Sequence, residues 1–199
     1  MNSKINEYFN TNLNKFNKNF YSSQFIKFLL EVNPAIVSVS PELRVQKRLV
    51  PTLNIVNSYT VDDSLKFNNR LHPNEISSTK FYINYQGTQT LVYIQDRADD
   101  NPPNYNGTGV ISLINAATGV SLSTIGTVNY GTGVIDITAL SPTGYQTGQT
   151  SIQLTAGLQE VSYNITAVRN QILVLDDSTA DSNIRRNAGI EITMTPILQ

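Results

Sequence analysis

From Ala35 onward the chain is written as short apolar or alternating runs, each cut by Gly, Pro, Asn, Asp or Ser. Runs of this length, bounded by turn formers, read as strands rather than helices. Ile36, Val37 and Val39 make the first, ended by Ser40-Pro41. In Leu43–Leu49, Leu43, Val45, Lys47 and Leu49 fall on one face of an extended chain, with Arg44, Gln46 and Arg48 on the other. Pro51 stops that run, and Leu53–Val61 is rich in β-branched residues. Phe81–Tyr85 turns at Gln86-Gly87 and is answered by Leu91–Ile94, the pattern of a hairpin. Further strands are expected at Ser151–Thr155, Val161–Ile165, Gln171–Leu175 and Gly189–Pro196. Loops are expected at Asp99–Gly107, Ser141–Gly148 and Asp176–Asn183. Gly107-Thr-Gly-Val-Ile-Ser-Leu113 is echoed by Gly131-Thr-Gly-Val-Ile-Asp-Ile137, which reads as two similar turns feeding strands rather than a duplicated unit.

The first residues follow another rule. Ile5, Phe9, Leu13, Phe16 and Phe20 recur at spacings of four, four, three and four, the stripe of an amphipathic helix that Ser3 can cap. Its other face is rich in Asn, a mediocre helix former, so the helix needs a surface to lie on. A second helix is expected through Phe25, Ile26, Phe28, Leu29 and Leu30, ending at Asn33-Pro34. The expected class is therefore α+β. A helical segment at 1–33 precedes a sandwich-like β-rich domain of antiparallel strands at 34–199, with a further division near 62–80.

Fourteen Lys and Arg balance fifteen Asp and Glu among 199 residues, so no net field draws the chain to nucleic acid or an anionic membrane. The absence of Cys excludes disulfides, thiolate metal sites and cysteine nucleophiles. No apolar run approaches the ~18 residues of a membrane-spanning helix. The N-terminus MNSKINEYFN has no apolar core of a secretory signal.

Few residues invite chemistry. His72 is the single histidine, set between Leu71 and Pro73, and it reads as a turn residue bonded to its own backbone. Asp96, Asp99 and Asp100, and Asp176, Asp177 and Asp181, lack the spacing of a calcium loop. Glu75, Glu160 and Glu191 supply carboxylates for a hydrolase, but nothing in the sequence pairs them. Neither Gly-Thr-Gly segment has the Lys-Ser/Thr ending of a phosphate loop. Lys47-Arg48 and Arg185-Arg186 read as solvated surface. No cofactor, metal or catalytic residue is expected.

Five pieces occur in order: Val45-Gln-Lys-Arg-Leu-Val-Pro51, Phe67-Asn-Asn-Arg-Leu-His-Pro73, Ile76-Ser-Ser-Thr-Lys-Phe81, Asn129-Tyr-Gly-Thr-Gly-Val-Ile-Asp-Ile137 and Arg169-Asn-Gln-Ile-Leu173. Together, from about Ser40 to Pro196, they resemble the C-terminal region of the baseplate wedge protein of T4-like contractile-tailed phages, a relative of the baseplate J-like proteins. Members of that family are much longer, so the chain is expected to be a fragment, a split product or a shortened form. The resemblance implies a non-enzymatic subunit of the virion tail baseplate, assembled in the host cytoplasm. It implies a homodimer that contacts other wedge subunits and the sheath-initiating protein, with no nucleic acid and no membrane as partners. Two contact surfaces are expected: the stripe Phe9, Phe16 and Phe20, docking on another subunit or on the chain's own body, and a polar loop from Asn68 to Thr79 that carries Arg70, His72 and Asn74. The competing expectation is a carbohydrate- or receptor-binding tail module, which uses the same strand and loop pattern.

Overall fold

The structure, a computed structural model, describes residues 2–12, 20–34, 36, 41–42, 44–59, 67, 69–159, 164–165, 171–173 and 191–192. Two short helices, α1 (Asn2–Asn12) and α2 (Ser22–Val32), flank a two-residue strand β1 (Phe20–Tyr21). Then come β2 (Pro41–Glu42), β3 (Arg44–Leu49), β4 (Asn57–Tyr59), β5 (Leu71–Ser78), β6 (Phe81–Tyr85), β7 (Thr88–Ala98) and β8 (Thr108–Asn115). The remaining strands are β9 (Ser121–Asn129), β10 (Val134–Leu140), β11 (Pro142–Tyr145), β12 (Ile152–Leu158), β13 (Asn164–Ile165), β14 (Gln171–Leu173) and β15 (Glu191–Ile192).

An 11-stranded sheet dominates, in the order β14-β3-β12-β5-β7-β8-β9-β10-β4, with β6 branching from β7 and pairing β11. Its pairings are antiparallel and it curls into a half-barrel. The protein is therefore β-rich with few helical residues, and its main sheet curls on itself without forming a clear sandwich. The fold follows from hairpins. At Gln86 and Gly87 φ is 52° and 81°, the two left-handed positions of the tight turn that matches strand twist. Tyr85 pairs with Thr88 across it. Asn115 closes the β8–β9 turn, its Oδ1 accepting the N–H groups of Ala117 and Thr118. Burial of Val92, Ile94, Ile111, Leu113, Ile125, Val128, Ile135 and Ile137 lines one continuous core along β7 to β10.

Several expectations are corrected. The alternation of Leu43–Leu49 predicts one wet face, but β3, an inner strand, buries side chains on both faces. Arg44, Val45, Gln46, Lys47 and Leu49 are all buried, and only Arg48 is exposed. Lys47 is thus not surface: its Nζ stands 5.6 Å from the centre of the Phe67 ring. The Asn68–Thr79 stretch is not a loop, because residues Leu71–Ser78 form β5. Pro142–Tyr145, within the second expected loop, pairs with β6. Among the described residues of Leu53–Val61, Asn57–Tyr59 is strand, preceded by a turn.

The N-terminal stripe is corrected as well. α1 ends at Asn12, and Phe20 belongs to β1, paired with Ile165. Phe20 is nevertheless buried, 5.6 Å from the Phe25 ring of α2, which also meets Tyr8 at 5.0 Å and Phe9 at 5.6 Å. The helices therefore dock on each other through aromatic rings, a cluster of the kind that adds to simple burial. Leu13 and Phe16 lie outside the described residues, as do Arg185, Arg186 and the Asp176–Asn183 stretch.

Candidate functional site

The polar residues of interest gather along β5. Its seam with β7 is unusual, because Ser77 and Gln95 are the one residue pair the two strands share by register. Side chains supply the other links. The carboxylate of Asp96 accepts the N–H of Asn74 on Oδ2 and of Ile76 on Oδ1, each at 2.8 Å. Ser78 Oγ accepts the N–H of Ile94 at 2.8 Å, and Asn74 Oδ1 accepts the N–H of Ala98 at 2.8 Å. Asn74 has φ 63°, so β5 kinks there and its backbone groups turn towards Asp96. Asn tolerates this conformation better than most residues. The buried Tyr130 hydroxyl adds a third donor to Asp96, at 2.9 Å. Burial pushes the Asp96 carboxyl up to about 6, although the N–H of Ile76, the Tyr130 hydroxyl and the N–H of Asn74 all favour its ionised form. Burial, and then the Asp96 charge beside it, raises the Tyr130 phenol in turn.

On the other side of β5, Glu75 reaches over β12. Its Oε2 stands 3.5 Å from Nη2 of the buried Arg44 on β3. β12 passes beneath at Gly157, which pairs with Arg44; a Cβ there would sit 2.0 Å from Glu75 Oε2. A side chain at 157 would displace the carboxylate from its present place.

The second carboxylate oxygen, Glu75 Oε1, is 3.2 Å from His72 Nδ1, which also lies 3.1 Å from the carbonyl of Pro73. Two acceptors at Nδ1 assign the ring proton there and leave Nε2 as an acceptor. Nε2 faces the Tyr105 hydroxyl at 3.2 Å, with the two rings edge to face at 5.0 Å. Buried Gln159 fixes the backbone beneath, its Nε2 donating to the carbonyls of Leu71 at 2.7 Å and Tyr105 at 2.5 Å.

The expected contact residues are thus separated. Phe20 is buried and Phe9 half-buried in the helical cluster, and Phe16 lies outside the described residues. Arg70 and Asn74 are exposed and His72 is half-buried, near one another at the start of β5. His72 is bonded to its own backbone as expected, and to Tyr105 besides, which sequence spacing did not indicate. Glu75 points to Arg44 and His72, and Glu160 lies outside the described residues. Among the described residues no group of three or more His, Asp or Glu is placed to hold a metal ion. No described helix is long and apolar enough to cross a membrane.

A further surface went unread in the sequence. The segment from Val50 to Val56 carries the chain from β3, near one edge of the sheet, to β4 at the other. It exposes Val50 (71%) and Val56 (68%) together with Leu53 and Ile55, and contains no charged residue. Hydrogen bonds hold this strap to β11: Asn54 N–H to the Pro142 carbonyl at 2.7 Å, and the Tyr145 hydroxyl to the Pro51 carbonyl at 3.1 Å. No protein-family model and no curated protein sequence matches the chain.

Proposed function

We propose that the chain is a structural subunit of a contractile phage-tail baseplate wedge, acting there by assembly. It pairs with a second copy and docks on other wedge subunits and the sheath-initiating protein. The ordered sequence motifs from Val45 to Leu173 point to that family. The observation that carries the reading is the strap: four exposed apolar side chains, Val50, Leu53, Ile55 and Val56, on a segment whose backbone is tied down by hydrogen bonds. Exposed apolar patches of this kind mark interaction surfaces, and a tied backbone loses little entropy on docking.

The charged side chains along β5 support the same conclusion. Asp96, Arg44 and Glu75 are engaged in holding strands together. Light scattering on the purified chain tests self-pairing: the account expects a dimer at micromolar concentration, and a strict monomer at all concentrations contradicts the homodimer. A clear, specific hit on a glycan array would move the assignment to a carbohydrate-binding tail module.

A further inference from the structure

We propose that Tyr105 is a primed nucleophile, its phenol aligned on His72 and Glu75 to take an acyl group from an activated acyl donor. The inference does not rest on the assembly reading. It stands on the line Glu75 Oε1, His72 Nδ1, His72 Nε2, Tyr105 Oη, with 3.2 Å at each of its two contacts. A nucleophile, a base within hydrogen-bond reach, and a third group orienting that base form the general pattern of an activated hydroxyl. The tautomer is the required one, because the Glu75 carboxylate and the Pro73 carbonyl both occupy Nδ1 and leave the Nε2 lone pair for the phenol proton.

The arrangement is also held in place. Arg44 grips the far oxygen of Glu75, Gly157 leaves room for that carboxylate, and Gln159 ties the Tyr105 backbone to the strand that carries His72. Tyr105 itself is 47% exposed, so a donor can reach its oxygen. In the step, the Tyr105 oxygen bonds to the acyl carbon and the bond from that carbon to the leaving group breaks. The phenol proton passes to His72 Nε2 and then to the departing group. Nothing is oxidised or reduced.

The test uses N-acetylimidazole on the whole chain, with O-acetylation of each tyrosine followed by peptide mass mapping and confirmed by reversal with hydroxylamine. Tyr21, 42% exposed, is the internal reference. Tyr105 is expected to react about 10²-fold faster than Tyr21, the lower end of what a positioned general base contributes. His72→Gln is expected to bring Tyr105 down to the rate of Tyr21, and Glu75→Gln to slow it by a smaller factor. Equal rates for the two tyrosines, or a Tyr105 rate unchanged by His72→Gln, overturns the proposal. If His72→Gln fails to fold, Glu75→Gln decides: a Tyr105 rate unchanged in that variant overturns it.

Discussion

Arg44 and Glu75 form an ion pair across a whole intervening strand, Nη2 to Oε2 at 3.5 Å, passing over Gly157. Gly157→Ala drives a methyl group into Glu75, whose Oε2 lies 2.0 Å from the new carbon and whose Cβ lies at 3.1 Å. To make room, the Glu75 carboxylate has to leave its present place beside Arg44. The expected cost is about 1–3 kcal/mol, as for overpacking in a closed site, read as a lower urea midpoint. An unchanged midpoint would show that Glu75 moves freely.

Asp96 predicts the sign of a pH dependence. Its carboxyl rises from the ordinary 3.8 to about 6 on folding, so between those values the folded chain holds a proton that the unfolded chain has lost. The contribution is therefore complete below 3.8 and is lost as pH rises through about 6, on the order of 3 kcal/mol in all. Urea unfolding from pH 4 to 7 should show stability falling relative to Asp96→Asn, in which this slope is absent. Parallel curves for the two proteins would contradict the assignment.

The aromatic cluster of the helices predicts a local loss. Phe25 touches Tyr8, Phe9 and Phe20, with ring centres at 5.0–5.6 Å, and is fully buried. Phe25→Ala should cost about 3–5 kcal/mol of helix docking. Amide exchange should accelerate in α1 and α2 far more than in β7 and β8. Uniform acceleration would mean that the helices and the sheet unfold as one unit.

The β6–β7 turn predicts a gain. Gln86 sits at φ 52° before Gly87, where Asn is the preferred residue. Gln86→Asn should stabilise by about 0.5–1 kcal/mol, seen as a rise in the thermal midpoint. A fall would show that the Gln86 side chain has a role the turn geometry does not reveal.

These residues also show what the sequence could and could not convey. Gln86-Gly87 was legible because both turn positions and both flanking strands are local. Lys47 shares the phase of Val45 and Leu49, and that phase was the better guide; its charge pointed to the surface while Phe67 and β14 cover it. Pro73 and Asn74 look like loop residues, yet they lie within β5 because Asp96 takes over the strand's N–H bonds from 22 positions away. Such long-range replacement leaves no local trace. Phe20 kept the spacing of the α1 stripe and its burial, but from a strand, because packing on Phe25 rewards the ring and not the helix. His72 was expected to donate to the backbone of a turn; it does meet a backbone carbonyl, that of Pro73, but from within β5, and its meeting with Tyr105, 33 positions on, needed the folded sheet.

The central claim is that this chain works by docking, with the strap as its contact. The most direct measurement is co-sedimentation with purified wedge subunits, comparing the wild type with the double variant Ile55→Asp, Val56→Asp. Both residues are exposed, so the variant should keep the circular dichroism and thermal midpoint of the wild type. The account predicts that the wild type sediments with the wedge subunits and that the folded variant stays free. Equal sedimentation of the two, or none by the wild type, would contradict it.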